Sequence, residues 1–241
     1  MCTVTYLPLG KNNFILTSNR DETPLRKTIP PKRYLENGVE LVYPKDALAG
    51  GTWIGTSSKK RLVCLLNGGF TKHTRNAYYK MSRGIIVKKI LTDKDAVAFI
   101  RAFDFKGIEP FTLIFVDFKE ELKTYELVWD GLKKHFVELP QEPKIWSSST
   151  LYTEEMKMVR KDWFATWVLE HKEFHQKEII AFHQNDSLGT PETSPKMKRK
   201  FVETVSITSI KKEDDICLIY DDLLNNQIAK EIITFNKMQK R

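Results

Sequence analysis

The chain changes periodicity four times, and the order of those changes limits the folds open to it. Short apolar stretches suited to strands fall at 3–9 and 14–18, joined by the turn Gly10-Lys11-Asn12, and at 52–56 and 61–66, joined by the polar turn 57–60. Between these pairs, 23–49 is rich in proline and charge and reads as a long irregular excursion. After Asn67-Gly68-Gly69 the spacing becomes helical over 82–91 and 93–103 (Ile86 and Ile90; Val97 and Ile100), with Thr92 as the expected N-cap of the second helix. Strand patterns return at 111–116, 122–129 and 135–139, the last pair joined through Asp130-Gly131. A second helical block covers about 154–171, where Met156, Val159, Trp163 and Trp167 form one apolar stripe, and a shorter helix covers 173–183. Residues 185–195 are loop by composition, and strands at 204–210, 216–220 and 228–235 close the chain. Two sheets of mostly antiparallel strands, stacked face to face between two helical layers, satisfy this order. The expected fold class is α+β, a four-layer αββα sandwich. No linker or repeat divides the sequence, so 1–241 reads as a single domain.

Composition removes several function classes. Lys and Arg number 39 against 31 Asp and Glu, a formal charge of +8, but the basic residues are spread along the chain and the densest group is Lys196, Lys198, Arg199 and Lys200. No nucleic-acid module accompanies them, so the charge reads as solvated surface and no nucleic-acid partner is expected. No apolar run reaches the roughly 18–20 residues of a membrane span, so no integral membrane segment is expected. The start, Met1 to Gly10, lacks the basic and apolar segments of a secretory leader. Three cysteines, Cys2, Cys64 and Cys217, are too few and scattered for a disulfide framework or a zinc knuckle, which suits a cytoplasmic location. Cys64 and Cys217 fall inside apolar strands and read as core. His171 and His175 stand four apart on a helical segment, but with no ligand-type neighbours they read as surface residues, and no metal is expected. With no Gly-rich phosphate loop and no haem-attachment motif, no cofactor is expected.

Cys2 is the candidate nucleophile, against the plain reading that position 2 only tolerates a cysteine. Initiator methionine is trimmed before small side chains, and the mature chain would then begin with a thiol and a free α-amine on one residue. The amine titrates near about 7.7–8.0, so it can accept the thiol proton and leave a nucleophilic thiolate. The hairpin 3–18 returns the polar cluster Ser18-Asn19-Arg20-Asp21-Glu22 toward that terminus. A carboxylate there can hold the protonated amine, and an arginine can lower the thiol pKa or bind a substrate carboxylate. Taken alone, the cluster also looks like a turn with an internal Arg–Asp pair.

Met1-Cys2-Thr3 followed by Asn19-Arg20-Asp21-Glu22 resembles the NRDE family, named for that tetrapeptide, which includes the transport-and-Golgi-organisation protein 2 homologues. Gly50-Gly51-Thr52-Trp53-Ile54-Gly55, the strand end Leu66-Asn67 and Ser82-Arg83-Gly84 match in the same order, so the first half resembles the family closely and the rest weakly. The resemblance implies an N-terminal-nucleophile hydrolase-like fold, shared with cysteine amidases that act on penicillin V, bile-salt conjugates and N-acylethanolamines. It implies Cys2 as nucleophile and base, Asp21 as the carboxylate orienting the α-amine, and Asn67 as an oxyanion donor. Asn19, Arg20 and Ser148 are implied as substrate-binding. Asn67-Gly68 is also an ordinary turn signal, and both readings stay open.

The sequence departs from the pattern in three places. Bile-salt-type amidases carry an Arg three residues before the Asp, where this chain has Ser18. Relatives show an Asn where this chain has Ser148, and an Arg in the strand that corresponds to 203–206, where this chain has Val205. Two functions from different classes follow. One is hydrolysis of the C–N bond of a small acylated amide. The other, favoured by Ser148 and Val205, is a non-catalytic carrier or regulator that uses the same pocket for a lipid-like acyl compound or for haem, with Cys2 or a His as axial ligand.

Overall fold

The computed structural model describes residues 3–235; Met1, Cys2 and 236–241 lie outside them. In chain order the elements are β1 (Thr3–Pro8), β2 (Phe14–Glu22), β3 (Thr28–Glu36), β4 (Val39–Asp46), β5 (Ile54–Ser57) and β6 (Arg61–Asn67), then helices α1 (Arg83–Thr92) and α2 (Ala96–Ala102). The strands β7 (Phe111–Asp117), β8 (Lys123–Trp129), β9 (Lys134–Leu139) and β10 (Lys144–Ser147) follow. Helices α3 (Glu154–Glu170) and α4 (Gln176–Gln184) precede β11 (Glu203–Lys212), β12 (Ile216–Asp222) and β13 (Gln227–Ile233).

The strands form two antiparallel sheets, ordered β10-β1-β2-β11-β12-β13 and β3-β4-β5-β6-β7-β8-β9. Side-chain alternation distributes each central strand between two cores. In β6, Leu62, Cys64 and Leu66 point between the sheets, where they meet Val4, Tyr6, Phe14 and Leu16 of the other sheet. Val63 and Leu65 point the other way, onto Ile86, Val87, Ile90 and Leu91 of α1. On the far side, Leu7, Ile15 and Ile145 take Phe164 of α3 with Ile179 and Phe182 of α4. Strands buried on both faces read as unbroken apolar runs, which is why they stand out in the sequence. The layers are therefore helix, sheet, sheet, helix, as expected. Among the described residues no helix is long and apolar enough to cross a membrane.

Several expectations need correction. The 23–49 excursion is mostly the hairpin β3–β4, closed by Asn37-Gly38 with φ of 51° and 73°. Pro30 and Pro31 are tolerated because β3 is an edge strand whose register shifts between Ile29 and Lys32. The short edge strand β10 also lies outside the expected set. Thr92 ends α1, its hydroxyl donating to the Lys88 carbonyl, and Asp95 caps α2 by accepting from the Ala98 N–H. On α3 the expected stripe is displaced: Val159 is exposed, and the buried side chains are Arg160 and Phe164, with Trp163 and Trp167 only partly covered. Cys64 is core, whereas Cys217 is only half-buried.

Candidate active site

β2 does not stop at Ser18. It runs through the whole tetrapeptide, paired with β1 at Thr3–Asn19 and with β11 at Thr204–Asp21 and Ser206–Arg20. Alternation along this extended strand sends Asn19 and Asp21 toward the α3–α4 layer and Arg20 toward the space between the sheets. The cluster is no turn with an internal Arg–Asp pair, because Arg20 and Asp21 occupy opposite faces of an extended strand.

On the inter-sheet side, Arg20 is buried and its guanidinium lies 4.7 Å from the centre of the Trp53 ring. It donates to Asp46 Oδ2 at 3.1 Å, and Arg26 Nε reaches the same oxygen at 2.8 Å. The other Asp46 oxygen accepts from the Leu48 and Ala49 amides. Burial works against the Asp46 charge, yet the Ala49 N–H, Arg26 and Arg20 outweigh it and hold the carboxyl below its ordinary value. Burial also lowers Arg20 and Arg83, opposed in each case by neighbouring carboxylates. Arg20, Asp46, Trp53, Asn67 and Arg83 line one cleft of about 90 Å³. Trp53 also packs in the core between the sheets, and its buried Nε1 has no hydrogen-bond partner among the described residues.

Asn67 ends β6 at the cleft, half-buried. Its loop is clamped from outside: Ser148 Oγ donates to the Asn67 carbonyl at 2.7 Å and Ser149 Oγ to the Gly69 carbonyl at 2.7 Å. Gly68 has φ of +87°, and a Cβ on it would fall 2.3 Å from Ser149 Oγ, so both conformation and space require glycine there.

On the helix side, Asp21 is buried with both oxygens held. Thr204 Oγ1 donates to Oδ1 at 2.7 Å and the Tyr152 hydroxyl to Oδ2 at 3.0 Å. A register shift between Thr204 and Ser206 turns Thr204 onto Asp21, and Val205 is buried beside it.

The six expected site residues thus separate. Arg20 and Asn67 share the cleft, and Asp21 stands on the opposite face of the same strand. Cys2 lies outside the described residues. Asn19 is wholly buried and its amide is committed: Nδ2 donates to the His183 and Pro195 carbonyls, and Oδ1 accepts from His183 Nδ1. It ties β2 to the helical layer and offers a substrate no donor. Ser148 is likewise spent, on Asn67 and on Thr150 Oγ1 at 2.9 Å, so it supports the loop from behind. Sequence reasoning missed Tyr152, Thr204, Asp46 and Arg160. Arg160 had a signal, since it stands four residues from both Met156 and Phe164 on the apolar side of α3. Among the described residues no group of His, Cys, Asp and Glu could hold a metal ion.

The sequence pattern of the Transport and Golgi organisation 2 family matches residues 1–222. The chain belongs to that family. None of the curated proteins matches it by sequence. Solved structures do resemble this family member in fold. A variant of the conjugated bile acid hydrolase from Clostridium perfringens is 10% identical with a TM-score of 0.60, covering 97% of this chain and 92% of that one. The Caenorhabditis elegans orthologue of N-acylethanolamine-hydrolysing acid amidase is 14% identical with a TM-score of 0.60, covering 87% and 92%. Penicillin V acylase from Agrobacterium tumefaciens is 11% identical with a TM-score of 0.52, covering 97% and 86%. The fold is N-terminal-nucleophile hydrolase-like, and at such identities the likeness carries the fold alone.

Proposed function

We propose that the protein is a cysteine amide hydrolase whose nucleophile is Cys2, exposed as the first residue once Met1 is removed. The Cys2 thiol gives its proton to its own α-amine and the thiolate attacks the amide carbonyl carbon. The C–N bond breaks as the resulting ammonium returns the proton to the departing amine, and water then hydrolyses the thioester. Asp21 orients the α-amine. Asn67 Nδ2 donates to the developing oxyanion, and Arg20 receives an acidic group on the substrate.

One observation supports this most strongly: the chain enters β1 at Thr3 opposite Asn19, one position from Arg20 and two from an Asp21 carboxylate with both oxygens fixed. The neighbours' printed names, a bile acid hydrolase, an acid amidase and a penicillin acylase, point the same way. A cleft of about 90 Å³ suits an amide and its first substituents; whole drug-sized ligands occupy roughly 300–1,000 Å³.

Intact-mass analysis comes first, with loss of Met1 expected. In a panel of N-acyl amides, Cys2→Ala is then expected to lower turnover at least about a thousandfold, and Asn67→Ala about a hundredfold. A mature chain that keeps Met1, or a wild type that cleaves no member of the panel, sinks the hydrolase. The second reading, a carrier of lipid-like acyl compounds or haem, draws on Ser148 being committed and Val205 replacing a guanidinium. It predicts binding of an acyl compound that survives in Cys2→Ala while wild type hydrolyses nothing, or a Soret band on haem titration of the wild type.

A further inference from the structure

Arg160 is the largest fully buried side chain in the described structure, yet no carboxylate there lies within ion-pair distance of it. Its nitrogens bond to Thr3 Oγ1, to the Ser194 carbonyl and, at 2.8 Å, to the Thr193 carbonyl. Its guanidinium carbon sits 3.7 Å from the centre of the Tyr152 ring, and Arg199 approaches the same ring at 5.3 Å. Burying a guanidinium without a counter-charge is costly, so a compensating role is expected. The Tyr152 hydroxyl donates to Asp21. A cation on the face of a phenol draws electron density from the ring and strengthens O–H donation. The segment that carries Tyr152 also holds the Asn67 loop through Ser148 and Ser149.

We infer that Tyr152, backed by Arg160, is a positioning residue: with Thr204 it fixes the Asp21 carboxylate from the helical side. This rests on the hydrolase reading, because Asp21 matters only if it orients the amine of Cys2. Arg160 joins Thr3, at the start of β1, to Tyr152, and Tyr152 joins that assembly to β2. On the helical side, Asp21 meets Tyr152, whose ring is flanked by Arg160 and Arg199, and Arg20 and Glu22 are its neighbours in β2.

The test needs no substrate. Alkylation of Cys2 by iodoacetamide is followed by peptide mapping across a pH range, with Cys64, whose thiol burial pushes up to about 12, as an unreactive internal reference. In wild type the inflection is expected to lie below the roughly 8.5 of a free cysteine. Tyr152→Phe is expected to move it back toward that value and slow alkylation near neutral pH about tenfold, and Arg160→Lys to do the same more weakly. The variant Thr204→Val, which frees the other Asp21 oxygen, is the alternative should Tyr152→Phe fold poorly. In an Asp21→Asn background the Tyr152 change should add nothing, since both act through one carboxylate. A wild-type profile like that of free cysteine overturns the hydrolase reading itself. A perturbed wild type with unchanged Tyr152→Phe and Thr204→Val profiles overturns this inference alone, as does an equal effect of Tyr152→Phe in the Asp21→Asn background.

Discussion

Stability is expected to fall by close to one proton's worth for each pH unit below about 6.5, and the group responsible is His183. Its imidazole is fully buried. Nδ1 donates to Asn19 Oδ1 at 2.6 Å and Nε2 accepts from the Thr5 hydroxyl at 2.8 Å, so the neutral ring uses both nitrogens. Burial, with the Arg160 charge adding to it, pushes the pKa down to about 3. In the unfolded chain the same ring takes up a proton near about pH 6.5. Between those values the unfolded state binds a proton that the folded state refuses, so stability declines as pH falls, by about 1.4 kcal/mol per unit. At pH 4.5 the loss is roughly 3 kcal/mol, a large share of a typical total of about 5–15 kcal/mol. Asp46 does not blur this window. Its lowered pKa gives stability that is fully present above the ordinary carboxylate range and is lost only as pH falls through that lowered value. Urea unfolding from neutral pH to about pH 4.5 should show the decline in wild type. His183→Gln should begin less stable at neutral pH and lose one proton's worth of slope. Parallel slopes in the two proteins would remove His183 as the cause.

How far the sequence could be read depended on which residues were doubly buried. β6 and β7 lie between two cores, so their apolar runs are long and the sheets could be placed. β3 has one exposed edge, a proline pair and charges, and its identity rests on the Asn37-Gly38 turn, a two-residue signal outweighed by composition. The tetrapeptide Asn19–Glu22 was legible as a polar cluster but not as a geometry. As a cluster its residues would converge; as a strand, alternation puts Asn19 and Asp21 on one side and Arg20 on the other. Ser148 was marked by comparison with its relatives, yet its hydroxyl serves a backbone carbonyl that no sequence pattern reveals. Tyr152 and Thr204 reach Asp21 across 131 and 183 residues of chain, separations at which only the folded topology brings side chains together.

Gly84→Ala is expected to destabilise the protein, although alanine is the better helix former by about 1 kcal/mol. Gly84 is the second residue of α1, and a Cβ there would lie 2.9 Å from both the amide nitrogen and the carbonyl oxygen of Thr52 and 3.2 Å from the Cα of Gly51. The reciprocal contact is equally close, a Cβ on Gly51 falling 2.9 Å from the Gly84 carbonyl carbon. These neighbours are backbone, so no rotamer change can relieve the overlap. Thr52 is also held in place, its hydroxyl within hydrogen-bond distance of the Pro44 carbonyl at 2.7 Å and the Ile54 carbonyl at 2.8 Å, with one proton for either acceptor. The start of α1 must therefore lift, taking Arg83 away from the cleft it shares with Arg20 and Asn67. Such overpacking costs about 1–3 kcal/mol. Offset by the propensity gain, a net loss of about 1 kcal/mol corresponds to a melting temperature lower by roughly 2–4 °C in a chain of this size. The two motifs that looked independent in the sequence, the glycine pair before β5 and Ser82-Arg83-Gly84, are the two halves of this one contact. Its sign makes it a sharp test by thermal melting: without the backbone contact, helix propensity alone would raise the melting temperature of Gly84→Ala.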